Sequence, residues 1–201
     1  MRKTSVLVFT AVSLLSVGCF RSPNTRFYSL VSEREAAQST ALSPDGVSLE
    51  VSRIVFPEYL DDPRIAVRSG SYEVVRDEYE RWVEDLNVNF RRALLEDLAR
   101  NLKSSNVFSS EVYSRRPGSK AVQVEVLQFD VTDDGKALLK VRWASALNRD
   151  ALASASLKVS EFTAVATDSS SEARVSALSG LINSFAQEVA GAIVSSGAHG
   201  S

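Results

Sequence analysis

Residues 121–164, AVQVEVLQFDVTDDGKALLKVRWASALNRDALASASLKVSEFTA, decide the fold. Val122, Val124 and Val126 alternate with polar neighbours, and Leu127, Phe129 and Val131 continue the alternation in the opposite phase. A period of two marks a strand with one face buried, and a slip of phase inside it predicts a β-bulge near Val126-Leu127. Asp133-Asp134-Gly135 and Asn148-Arg149-Asp150 have turn composition. They divide the stretch into three strands, Ala121–Val131, Ala137–Leu147 and Ala155–Ala164, which read as an antiparallel meander.

The meander is flanked by two helical patterns. Upstream, Leu86, Phe90, Leu94, Leu98 and Leu102 recur every four residues, with Ala93, Leu95 and Ala99 widening the stripe. Arg91, Arg92, Glu96, Asp97 and Arg100 fall on the other side and read as a solvated face. Downstream, Ser169-x-x-Glu172 has the form of a capping box. Val175, Leu178, Ile182, Phe185, Val189 and Ile193 then make one apolar face. Two such helices can each lay a stripe on one side of the sheet. The expected fold is therefore α+β: a two-layer domain, mainly antiparallel sheet, with two amphipathic helices packed on one face.

Before the first helix, Arg26–Val31 is rich in aromatic and β-branched residues and predicts a strand. Ser32–Asp45 is polar and predicts a loop. Val47, Leu49 and Val51 predict a half-buried strand that Pro57 ends or pushes to an edge. After the loop Glu58–Pro63, Ile65–Arg68 and Tyr72–Val75 flank Ser69-Gly70-Ser71, a hairpin pattern. The expected folded domain is 26–195, with 196–201 as a flexible tail that has nothing to bury.

The N-terminus carries a different signal. Met1-Arg2-Lys3, the apolar run Val6–Leu15 and the small residues Ser16-Val17-Gly18 lead to Cys19, the sole cysteine. This order is that of an export signal, and the apolar run is too short to span a bilayer. A cysteine directly after the cleavage site resembles the lipobox of bacterial lipoproteins, whose thiol takes a diacylglyceryl group. Leu15 lies four residues before Cys19 rather than the usual three, where Ser16 stands. Ser16-x-Gly18 fits ordinary cleavage equally well. The expected arrangement is a signal peptide at 1–18, a lipidated tether at 19–25 and lipidation of Cys19. A single cysteine permits no internal disulfide, so the fold must rest on its core.

Composition narrows the function further. Without residues 1–18, 21 basic residues face 25 acidic ones, a net charge near −4, and no basic patch indicates nucleic acid. His199 is the only histidine and lies in the tail, where it cannot be held against a nucleophile. No His/Cys cluster suggests a metal, and Asp61-Asp62 and Asp133-Asp134 lack the alternating carboxylates of a calcium loop. The glycines are scattered, without a phosphate loop. The chain does not read as an enzyme, and no cofactor is expected.

The distinctive stretches are Phe56-Pro57-Glu58-Tyr59-Leu60-Asp61-Asp62-Pro63-Arg64-Ile65, then Glu80-Arg81-Trp82-Val83-Glu84-Asp85-Leu86. Together with Arg26-Phe27-Tyr28-Ser29-Leu30 after the cysteine, they resemble the ABC-transport auxiliary lipoproteins of the PqiC type. Asp62 stands where that family commonly has Arg, and Val83-Glu84-Asp85 where it commonly has Ala-Glu-Pro. The resemblance implies a non-enzymatic accessory component of an MCE/ABC-type intermembrane lipid transport system. Such a component docks or closes the bridge at the outer membrane, lipid-anchored and facing the periplasm. It implies an MCE-domain protein and an ABC transporter complex as partners and allows a homo-oligomer. The alternatives are a lipid carrier with its own apolar cavity and a structural lipoprotein of envelope assembly.

Pro57, Tyr59, Arg81 and Trp82 are the candidate partner-binding or motif residues, since Trp, Tyr and Arg are favoured at interface hot spots. A Trp before a helix more often plugs a core, and Pro57 shares that structural reading. Tyr59→Ala is expected to leave the fold intact and weaken partner capture, whereas lost thermal stability would place Tyr59 in the core.

Overall fold

The computed structural model describes residues 24–32 and 42–196. Cys19, the expected signal peptide, His199 and most of the expected tail lie outside the described residues. The elements are β1 (Arg26–Tyr28), β2 (Leu49–Val55), β3 (Arg64–Ser69), β4 (Glu73–Trp82), α1 (Leu86–Asn101), β5 (Val107–Ser109), β6 (Lys120–Thr132), β7 (Lys136–Ala146), β8 (Lys158–Val165) and α2 (Ser171–Ser195).

β6 organises a mixed eight-stranded sheet. Along one edge it pairs antiparallel with β7, from Ala121↔Ala146 to Val131↔Ala137, and β8 continues the meander beyond β7. The register slips between Val126 and Gln128, so Leu127 is the bulged residue that the phase change predicts. Along the other edge β6 holds two strands in turn. Its first half pairs parallel with β2, from Leu49↔Lys120 to Val55↔Glu125, and its far end pairs parallel with β3 at Val67↔Val131. The sheet therefore forks, leaving Val126–Asp130 without a strand on that side. β5 extends the β2 branch; β4 and then β1 extend the β3 branch.

The fold is α+β, and its antiparallel ladders carry most of the residue pairing. The parallel pairings were not legible in the chain. β2 in particular is not half-buried: Leu49, Glu50, Val51, Ser52 and Ile54 are all buried, on both faces of a strand that lies between β5 and β6. Glu50 is held there by Arg149 Nη1 at 3.3 Å, which pins the β7–β8 connection onto the sheet.

Both helices lie on one face. α2 is long and apolar enough to cross a membrane, yet its stripe packs on β6–β8, with Phe185 set against Trp143 and Phe162 at 5.9 and 6.1 Å. Ser170 caps it, accepting from Ala173 N–H at 3.1 Å. The cap thus lies one residue beyond Ser169, and Glu172 falls too early to close a capping box. α1 lies beside α2, and Phe90 meets Phe56 and Phe129 edge-on at 5.3 and 5.2 Å. Such edge-to-face pairs add to the stabilisation by buried area.

The expected first strand ends early. After Tyr28 the chain leaves the sheet, and Ser29–Ser32 straps across the helices. Leu30 is fully buried; its N–H donates to Asn89 Oδ1 on α1 at 3.0 Å, and Val31 N–H donates to Ser179 Oγ on α2 at 3.3 Å. Ser32 Oγ donates to Asp97 Oδ1, which also accepts from Arg100 at 3.1 Å. Asp97 is therefore fully buried rather than solvated: a helix face with charges on it still buries a carboxylate when a strap brings donors to it.

Candidate functional site

The two distinctive stretches come together at the fork of the sheet. Pro57 stops β2 because it has no N–H to donate to a ladder, and it starts a single 3-10 turn, Glu58–Leu60, with Leu60 N–H donating to its carbonyl at 3.0 Å. That turn places Tyr59 where β6 has no strand beside it. The Tyr59 hydroxyl donates to Asp130 Oδ2 at 3.0 Å and accepts from Phe129 N–H at 3.4 Å. A side chain thus supplies what a neighbouring strand would otherwise give to this edge. Burial first, and the nearby Asp130 charge next, push the Tyr59 phenol up to about 12.

Charged groups tighten the loop around that tyrosine. Asp130, buried in β6, accepts from Arg68 at 2.6 Å, and Arg76 donates to the Tyr59 carbonyl at 2.5 Å. Asp62 accepts from the Arg64 backbone N–H and from Arg64 Nε and Nη2, each at 2.9 Å. Those Arg64 hydrogen bonds hold the Asp62 carboxyl down to about 2, against an ordinary 3.8. Arg64 in turn pairs with Glu78. Asp62 and Asp134 both act within turns, the latter accepting from Thr132 Oγ1.

The second stretch joins through backbone pairing. Arg81 is the β-partner of Arg64, and Trp82 N–H donates to the Pro63 carbonyl at 2.7 Å. Trp82 is 5% exposed and belongs to the core. Arg81 stays half-exposed, its guanidinium near Glu78 (Nε to the carbonyl at 3.1 Å, Nη2 to Oε2 at 3.6 Å). Pro57, Tyr59, Arg81 and Trp82 therefore share one region, but they do not form one exposed patch. Tyr59 and Trp82 turn inward, whereas Pro57 and Arg81 reach solvent at different points.

Beside the fork, an open groove of about 560 Å³ runs between the Arg53–Asp61 loop and the N-terminal turn of α1. Pro57, Leu60, Leu86 and Val88 supply apolar surface. Arg53, Glu58, Asp61, Asp85, Asn87, Arg91 and Glu111 supply polar groups, with Arg91 paired to Glu111. Spacing alone did not reveal this groove, because its walls are 20 or more residues apart in sequence. Mixed charge on an open apolar floor suits a polypeptide partner better than a small ligand. Among the described residues no three metal-ligating side chains converge.

Residues 28–190 match the family model of the ABC-type transport auxiliary lipoprotein component. No curated protein matches the chain. Among solved structures, an uncharacterized protein is similar with a TM-score of 0.67 at 14% identity, covering 85% of this chain and 99% of its own. A Xanthomonas campestris protein is similar with a TM-score of 0.61 at 15% identity, covering 84% and 90%. At such identities the two likenesses speak for the fold alone. With more than three quarters of its length matched, the chain belongs to the ABC-type transport auxiliary lipoprotein component family.

Proposed function

We propose that this protein is a non-enzymatic accessory component of an MCE/ABC-type lipid transport system, held at the outer membrane by lipid on Cys19 and facing the periplasm. The family carries the coarse part of this reading, an auxiliary lipoprotein of ABC-type transport. The groove beside Pro57 supports the finer part. It is an open, mixed-charge cleft between the end of β2 and the start of α1, the kind of surface that captures a protein segment. A carrier of its own lipid is less favoured. Leu30, Phe90, Phe129, Trp143 and Phe185 fill the space between helices and sheet, and the described grooves are open rather than enclosed.

The test is affinity purification of the tethered protein from envelope membranes, with partners identified by mass spectrometry. Co-purification of an MCE-domain protein and an ABC permease is expected. The double substitution Glu58→Lys/Asp61→Lys reverses charge at two exposed loop positions of the groove, and like-charge contact at an interface costs enough to lower capture about tenfold or more. Undiminished capture by that variant would move the docking surface elsewhere, and the absence of any transport component would sink the reading.

A further inference from the structure

Phe27 and Val83 lie at the outermost edge of the β3 branch and are mostly exposed, at 63% and 58%. Phe27 is the β-partner of Arg81, and Val83 N–H donates to the Tyr28 carbonyl at 2.9 Å. In a parallel pair this puts Phe27 diagonally opposite Val83, on the face carrying Arg81, while Tyr28 and Trp82 turn inward. Two bulky apolar side chains thus stand together at a strand edge to which the described residues offer no cover.

The position of this pair along the chain says what covers it. Phe27 is eight residues from Cys19, a separation of at most about 28 Å when fully extended. A diacylglyceryl group on Cys19 therefore puts this edge of the domain within short reach of the bilayer surface. The opposite end of β4 is the contrast: its hairpin tip, Tyr72, is 97% exposed and lies about 30 Å away at 3.3 Å per residue. We propose that Phe27 and Val83 form a membrane-seating edge that enters the headgroup region of the leaflet holding the anchor, so that the domain stands on β1 with the β3–β4 hairpin pointing away. The proposal rests on lipidation of Cys19. It assigns the anchor an orienting partner: a lipid alone holds the domain near the membrane, but a second apolar contact removes its freedom to tumble.

The experiment uses the full-length lipoprotein purified from membranes and reconstituted into phosphatidylethanolamine/phosphatidylglycerol vesicles. Phe27→Cys, Val83→Cys and Tyr72→Cys are spin-labelled separately, and collision with oxygen is compared with collision with a water-soluble nickel chelate. Labels at 27 and 83 are expected about 5–10 Å into the headgroup/acyl boundary, the depth that interfacial side chains reach, and the label at 72 in water. Equal water access at 27, 83 and 72 overturns the proposal. So does a label at 27 shielded from both colliders, which marks a protein partner instead. Label stoichiometry separates the two readings. One label per chain means that Cys19 is blocked by its lipid, so a watery position 27 overturns the seating edge alone. Two labels per chain mean a free Cys19 thiol, which overturns the anchor and the seating edge together.

Discussion

Tyr59 is held from both sides of its hydroxyl, and that geometry sets what its removal does. Tyr59→Phe takes the partner from Phe129 N–H and one donor from Asp130, and an unsatisfied buried donor costs about 1–3 kcal/mol. Tyr59→Ala also empties the fork and is expected to cost about 3 kcal/mol. Chemical denaturation checks both, and a Tyr59→Ala protein as stable as wild type would return the residue to the role of a surface anchor. Asp62 gives a pH signature. Its folded-state pKa lies below the ordinary value, so its contribution is complete above about pH 4 and is lost as pH falls toward 2. An Asp62→Asn variant is therefore expected to be less stable than wild type near neutrality, with the difference closing between pH 4 and 2 in an acid titration followed by circular dichroism. A difference that persists below pH 2 would assign the effect to something other than the carboxylate charge. Neither role was visible in the residue types alone, since tyrosine in a loop and aspartate before proline read equally well as surface.

At the scale of elements, the strap Ser29–Ser32 is the least anticipated part of the fold. Arg26–Val31 has strand composition throughout, yet only three residues pair with β4; the rest donate to side chains of both helices. Two of the residues that receive it, Asn89 and Asp97, are polar positions on α1, which residue type alone does not separate from a solvated face. Asn89→Ala is expected to cost about 1–3 kcal/mol, because Leu30 N–H stays buried without its acceptor. Hydrogen exchange would show it as faster exchange of the Leu30 amide; unchanged protection there would mean that packing of Leu30, not the hydrogen bond, holds the strap. Elsewhere the elements were legible for clear reasons. The meander, the Leu127 bulge and both helices follow from side-chain period, and the Ser69–Ser71 turn from local composition. β5 went unseen because three residues, Val107–Ser109, are too few to show a period.

For the molecule as a whole, the anchor and the folded domain are expected to be separable. Cys19→Ser should move the protein from the membrane to the soluble fraction while leaving the thermal midpoint of the domain unchanged, because the core begins at Tyr28 and Leu30. Fractionation and a melting curve on the same preparation check both halves; a lowered midpoint would show that the lipid contributes to folding. The chain by itself determined the α+β class, the two helices and their common face, and the meander and its bulge, because each depends on local period or composition. Only the tertiary structure decided the fork in the sheet, the parallel pairing of β2 and its burial on both faces, the strap over the helices, and the meeting of residues 56–65 with 80–86. These depend on which strand edges find one another across long separations. Backbone hydrogen bonding between such edges is the same for every sequence, so side-chain pattern carries almost no record of it.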